Sequence, residues 1–326
     1  SFRHWARELA VQAESEETRA ELPEWIRLLR DRDPLLTPRP VDPARDVGAT
    51  MCEVSVKIPI ETTTALLTSV PAAFHAGIDD VLLTGLTAAT AEWTRRRGQD
   101  LSSGILVDVE SHGRIPLTEG MDLSRTVGWF TSTHPVRLGH GAMDFAGIRT
   151  GGPAAGGAVK RVKEQLRAVP GEGLGYGLLR YLNPETAPEL AALPSAQIGF
   201  NYLGRFAAGA VGQGPRKDWS LADEGGPGGG ADGEIPVLHA LEAMGVVHDL
   251  PEGPQLTLSL AWPRHLLDEK AVRALADGWA AMLTGLTNHT TVSGGGHTPS
   301  DFSLITLDQS QIDDLETELA QEGGTR

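Results

Sequence analysis

The sequence predicts a mixed fold, an α/β or α+β sandwich, and three observations carry that prediction. Cys52, Val54, Val56 and Ile58 alternate with polar neighbours, the mark of a strand with one buried face. The apolar run SGILVDV at 103–109 suits a strand buried on both sides. Strands and helices then mix without strict alternation and without an internal repeat, which argues against a simple doubly wound sheet. At 326 residues the chain is one large domain or two, long enough for a sizeable core.

The elements follow in order. Phe2, Trp5, Leu9 and Val11 at near-helical spacing predict a helix over 2–14, with Ser1 as its N-cap. Leu22, Trp25, Ile26 and Leu29 repeat the pattern over 17–31. Prolines at 34, 38, 40 and 43 then enforce an extended connector, and a boundary is placed near residue 48. After the strand around 52–58 come helices at 61–70 and 78–97. The second ends in Arg95, Arg96, Arg97 and Gly98, a basic last turn followed by a glycine stop. Strands are expected at 103–109 and 126–138, a basic helix at 153–168, a short helix at 174–182 and a strand at 196–203. Residues 207–233 are Gly-rich and loop-like. Strands at 235–247 and 255–263, a helix at 268–288, a loop at 293–300 and a helix at 308–321 complete the chain.

Composition excludes several function classes. Lys plus Arg number 28 against 43 Asp plus Glu, a net charge of −15, so broad binding to a phosphate backbone is disfavoured and no nucleic-acid partner is expected. Cys52 is the sole cysteine, which rules out an intrachain disulfide and a cysteine metal cluster. No run of 18 apolar residues offers a membrane span, and SFRHWARELA lacks the layout of a signal peptide. A cytoplasmic setting is therefore expected. The chain opens on Ser1 and is expected to be cut from something longer. The signatures GxxxxGK[ST], HExxH and GxSxG are absent. GEGLGYG at 171–177 follows a basic helix and a proline, so it predicts a turn running into a helix rather than a dinucleotide loop. GGPGGG at 225–230 reads as loop, and His140 with Asp144 as surface residues.

Three segments hold chemistry-bearing residues. In LVDVESHGR (106–114) an apolar strand runs into Glu110, His112 and Arg114. A partly desolvated Glu110 serves as a general base, with Arg114 to hold an anion or the carboxylate. Taken alone, the same residues also read as a structural Glu–Arg pair with His112 bonded in the turn. RTVGWFTSTHPVRL (125–138) offers Trp129 and Phe130 as pocket walls or ordinary core. In FNYLGRF (200–206), Asn201 and Tyr202 are adjacent and so face opposite sides of a strand, one of them toward a cleft.

Taken together and in order, LVDVESHGR, RTVGWFTSTHPVRL, PGEGLGYGLLRYL (170–182), FNYLGRF and HTPSDF (297–302) resemble the epimerization domains of nonribosomal peptide synthetases, along essentially the whole chain. The resemblance implies the condensation-domain superfamily, with its two-lobed sandwich similar to chloramphenicol acetyltransferase and a tunnel between the lobes. It implies inversion at the Cα of an aminoacyl or peptidyl thioester carried on the phosphopantetheine of a peptidyl carrier protein, with adjacent synthetase domains as further partners and no cofactor or metal bound directly. Glu110 matches the acid of the family's EGHGR segment, Arg114 its arginine, and Asn201 and Tyr202 its FNYLG pair lining the same cleft; these four are the expected catalytic residues. His112 is expected to be structural. The family's HHxxxDG element does not occur here, so residues 1–48 are expected to be the tail of the N-terminal lobe and 49–326 the C-terminal lobe, inactive in isolation. Ser111 replaces a glycine and Ile115 an acid. Those departures keep a second function open, that of the related X domain, a non-catalytic platform that recruits P450 oxygenases. Amide-bond formation by a condensation domain is a third. Lys160, Arg161, Lys163 and Arg167 are candidates for a carrier-docking patch, against the alternative of a solvated charged face.

Overall fold

The computed structural model describes residues 1–101, 103–139, 141–206, 233–302 and 304–323. Its centre is a six-stranded mixed sheet of β1 (Met51–Lys57), β2 (Ile105–Ser111), β3 (Ser132–Leu138), β4 (Ile198–Phe206), β5 (Leu241–Leu250) and β6 (Gly253–Pro263), ordered β1-β6-β5-β4-β2-β3. The outer pairs are antiparallel; β2–β4 and β4–β5 are parallel. A parallel pair needs a crossover, and the one from β2 to β4 carries helices found on both faces.

One face of the sheet is apolar throughout. Val54, Leu260, Ala243, Phe200, Val107 and Val136, one from each strand, are all buried there. They pack against a helical layer whose centre is α6 (Ile78–Arg96) on α11 (Glu269–Ser293). Between the layers Trp279 is fully buried and donates its indole N–H to the Leu82 carbonyl at 3.0 Å, so a large apolar ring is buried without orphaning its one polar atom. The helix α6 stops as its sequence dictates, with Arg95 and Arg96 in the last turn and Gly98 at φ +78.

The other face is covered over β2, β3 and β4. α1 (Phe2–Ala13), α2 (Glu16–Ala20) and α3 (Leu22–Leu29) lie there with α9 (Leu174–Gly177) and α10 (Ala187–Ala191). Trp25 and Leu29 of α3 bury against Leu106, Leu179 and Leu190. The connector after α3 is tied to the sheet. Asp33 accepts the Leu106 amide at 2.7 Å and pairs with Arg137 at 2.5 Å, both groups being buried.

Five expected elements differ. The helix over 17–31 breaks at Glu21 into α2 and α3, and the one over 61–70 breaks at Thr68. The strand over 126–138 begins only at Ser132, because Gly128 and Phe130 pack under Phe2 and Trp5 instead of pairing. The helix over 174–182 is one α-turn, α9, continued by a π-turn from Leu178 to Leu182. Its glycines are there for close approach: a Cβ on Gly173 would sit 2.1 Å from the His134 ring, and one on Gly175 2.0 Å from Glu21. The strand over 235–247 begins at Leu241 and runs to Leu250. Residues 207–232, including GGPGGG, and His140 lie outside the described residues; Asp144 caps α7 (Phe145–Thr150) through the Gly147 amide at 2.9 Å.

The basic helix α8 (Pro153–Arg167) does not present a free cationic face. Lys163 is 1% exposed and paired with Asp301, Lys160 reaches Asp313 on α12 (Gln309–Gly323), and Arg167 pairs with Asp80. Of the four cations considered for a docking patch, Lys160, Lys163 and Arg167 are thus engaged within the chain, holding the C-terminal segment and α6 in place, while Arg161 is exposed. Among the described residues no single helix is long and apolar enough to cross a membrane.

Candidate active site

A cleft of about 520 Å³ opens where β2, β4 and β5 meet the covering helices. Its floor is the polar face of those strands. Period-two alternation puts Ile105, Val107 and Val109 into the core and Leu106, Asp108 and Glu110 on the opposite side. On β4 the same alternation sends Gly199 and Asn201 into the cleft. Trp5, Leu29, Phe130, Leu174, Tyr176 and Leu178 form apolar walls, and Leu238 and Tyr181 are exposed at the rim.

Glu110 is half-buried on this floor. Among the described residues its carboxylate has neither a hydrogen-bond nor an ion-pair partner. Burial pushes its pKa above the ordinary carboxylate range, and the charge of Glu242 adds to the push. A carboxylate that is partly desolvated and unneutralised is a stronger base than one in water. Asn201 lies on the neighbouring strand of the same floor, with an amide that both donates and accepts.

The other two expected residues lie elsewhere. The Arg114 guanidinium donates to the carbonyls of Leu123 and Thr126 at 2.8 and 2.9 Å and stacks over Phe130, so it organises the 115–130 loop rather than lining the cleft. Tyr202 falls on the core side of β4, as the odd–even alternation requires, and packs against the main core. Burial raises its phenol pKa, with the charge of Asp79 second. The expectation that Asn201 and Tyr202 line one cleft is corrected: Asn201 alone does. Trp129, a candidate wall, is 80% exposed; Phe130 takes that place.

The signature around Glu110 also sorts itself. His112 accepts the Arg114 amide on Nδ1 at 3.1 Å, a turn contact. Gly113 is at φ +60, and a Cβ there would lie 1.8 Å from the Phe130 carbonyl oxygen, so it is the glycine the segment requires. Ser111 is ordinary strand and bonds Ser132 through the two hydroxyls at 2.8 Å, so the departure from glycine costs the backbone nothing here.

Three floor residues escaped the sequence reading. His239, before β5, bonds Asp108 through Nε2 at 2.9 Å and Glu242 through Nδ1 at 2.8 Å. Burial alone would lower the imidazole pKa. The two carboxylates outweigh it and hold the ring far above its usual range, as an imidazolium. Asp108 was legible in part, since it alternates with Glu110 on one face of an apolar strand. His239 and Glu242 had no local signal, because register across three strands brings them there.

The condensation-domain family profile matches residues 1–294. The chain belongs to the condensation-domain family. It is 35% identical over 316 residues to one of the linear gramicidin synthase polypeptides of Brevibacillus parabrevis, covering 96% of this chain and 4% of that protein. To tyrocidine synthase 1 of the same organism it is 29% identical over 324 residues, covering 97% of this chain and 28% of the relative. The chain thus spans a small part of the curated relatives it matches. The epimerization domain from the third module of tyrocidine synthetase B superposes with a TM-score of 0.71 at 29% identity, covering 89% of this chain and 59% of that one. The X-domain–OxyB complex from teicoplanin biosynthesis superposes at 0.55 with 18% identity, over 90% of this chain and 58% of that one, a likeness of fold. The sandwich expected for a condensation-type domain is the fold observed.

Proposed function

We propose that this condensation-family domain, within its parent synthetase, inverts the Cα of an aminoacyl or peptidyl thioester held on the phosphopantetheine arm of a peptidyl carrier protein, with Glu110 as an acid/base. The half-buried Glu110 on the cleft floor, without a hydrogen-bond or ion-pair partner among the described residues, carries this reading. A thioester carbonyl acidifies the Cα hydrogen. Glu110 takes that proton, the electron pair moves onto the carbonyl oxygen as an enolate, and protonation from the opposite face restores the thioester with inverted configuration. The Asn201 amide is placed to position the substrate or donate to the enolate oxygen. Arg114 contributes indirectly, by fixing the loop that carries Phe130. The acid for the opposite face falls to the HHxxxDG element of the N-terminal lobe, of which residues 1–48 are the tail in this reading. The setting is cytoplasmic, where synthetases and carrier proteins work together.

The experiment is D/L analysis of the residue released from the loaded carrier, with the parent synthetase and its Glu110→Gln variant. Wild type equilibrates the two configurations and the variant does not. Retained equilibration in Glu110→Gln would remove this carboxylate from the mechanism. A wild-type domain that leaves configuration untouched yet binds a P450 oxygenase would favour the recruitment platform. Amide formation without inversion would favour a condensation domain.

A further inference from the structure

We infer that His239 and Glu242 are positioning residues of the cleft: the imidazolium bridges Asp108 and Glu242 across Gly199, and the bridge fixes the Glu242 charge against Glu110. Only the link to catalysis rests on the function proposed above; the electrostatic device stands on geometry.

Register builds the bridge. Asp108 pairs with Gly199, and Gly199 with Glu242, so the three form one row across β2, β4 and β5. Adjacent strands are about 4.8 Å apart, so two carboxylates flanking one strand leave a gap that a single imidazole spans. His239 fills it, bonded at both ring nitrogens. The strand beneath must be bare for this: a Cβ on residue 199 would lie 2.4 Å from Glu242 Oε2 and 2.6 Å from His239 Nδ1. Gly199 is at an ordinary strand angle, so close approach rather than backbone freedom calls for glycine.

With both nitrogens occupied by carboxylates, His239 has no proton free for a substrate. It acts through charge. Among the described residues, the titratable and charged groups that line the cleft with Glu110 are Asp108 on its own strand, Glu242 on β5, His239 before it, Tyr176 on α9, and Arg180 and Tyr181 on the π-turn. The bridge is a cation between two anions, so it leaves one net negative charge beside Glu110. The Glu242 charge opposes ionisation of Glu110 and strengthens it as a base, and the imidazolium cancels one of the two carboxylate charges in the row.

The two bridge residues therefore have opposite signs. Glu242→Gln removes a like charge and lowers the Glu110 titration midpoint. His239→Gln removes the cation, leaves Asp108 and Glu242 uncompensated, and raises it. The midpoint is read by carbon-13 NMR of labelled glutamate carboxyls in the full chain, with Glu110→Gln to assign the signal. A fall in the first variant and a rise in the second is the expected result. No movement, or movement in one direction for both, would overturn the inference. Should His239→Gln not fold, Glu242→Gln decides alone, and its midpoint must fall. In the parent synthetase the acidic limb of the pH–rate profile for inversion shifts with the same two signs. A wild-type synthetase that inverts nothing would sink the epimerase reading and leave the NMR result standing.

Discussion

Asp301→Ala should cost far more stability than its surface position suggests. Asp301 lies in the HTPSDF segment and holds Lys163 with both carboxylate oxygens, at 2.6 and 2.7 Å. The Lys163 side chain is 1% exposed, that of Asp301 15%. Among the described residues, the ammonium's other partner is the Phe74 carbonyl at 2.9 Å. Removing Asp301 leaves a buried cation without this counter-charge, which costs about 3–5 kcal/mol. Lys163→Met removes the same pair but leaves Asp301 near water, still bonded to the Thr298 amide at 2.8 Å. Its cost is about 1–3 kcal/mol, including the orphaned Phe74 carbonyl. Urea unfolding of the two variants and wild type, at neutral pH, measures both. By the usual scaling for a chain of this length, the Asp301→Ala loss lowers the melting temperature by roughly 4–7 °C. If Lys163→Met cost as much as Asp301→Ala, or if Asp301→Ala cost under about 1 kcal/mol, the asymmetric-burial reasoning would be refuted. Burial opposes the Asp301 charge, but Lys163 and Thr298 outweigh it and lower the pKa. The contribution is thus full above the ordinary aspartate range and disappears as acid drops through the folded value.

Other outcomes follow from the same contacts. The raised pKa of Glu110 means that the folded state binds its proton more tightly than the unfolded state, so ionised Glu110 costs stability. Glu110→Gln should therefore unfold later than wild type at neutral pH, the advantage vanishing as pH falls below the usual glutamate range; an advantage that grew in acid would contradict the burial assigned to it. Gly113→Ala should cost about 3 kcal/mol in chemical denaturation, from the left-handed backbone and the collision with Phe130 combined. Trp25→Ala, at a fully buried site with the ring tilted against Tyr176, should cost about 3–5 kcal/mol by the same measurement.

The sequence disclosed what depends on near neighbours. Alternation in β1 and in the LVDVE strand, the basic-then-glycine stop of α6 and the Ser1 cap of α1 all appear where local chemistry puts them. Glu110 and Asn201 reach the cleft floor, and the resemblance had named both; strand alternation alone left open which of Asn201 and Tyr202 would face it. Arg114 and Tyr202 were misplaced because a motif names residue types without saying which face of a strand, or which loop carbonyl, each will meet. The start of β3 was misjudged for a related reason. Trp129 and Phe130 are strand formers by composition, but Trp5 and Arg114 claim Phe130 for a different packing. His239 was invisible until register brought it to Asp108, 131 residues away in sequence.

The parallel pairing at the middle of the sheet sets a schedule for synthesis. β4 can zip onto β2 only after the long connection between them has emerged, and β5 must follow before Asp108, Gly199 and Glu242 share a row. α11, which seals the apolar layer, leaves the ribosome later still. Such distant pairings are slow, so a nascent chain stalled before β5 would display unpaired β4 edges and an open apolar face, a natural target for chaperones.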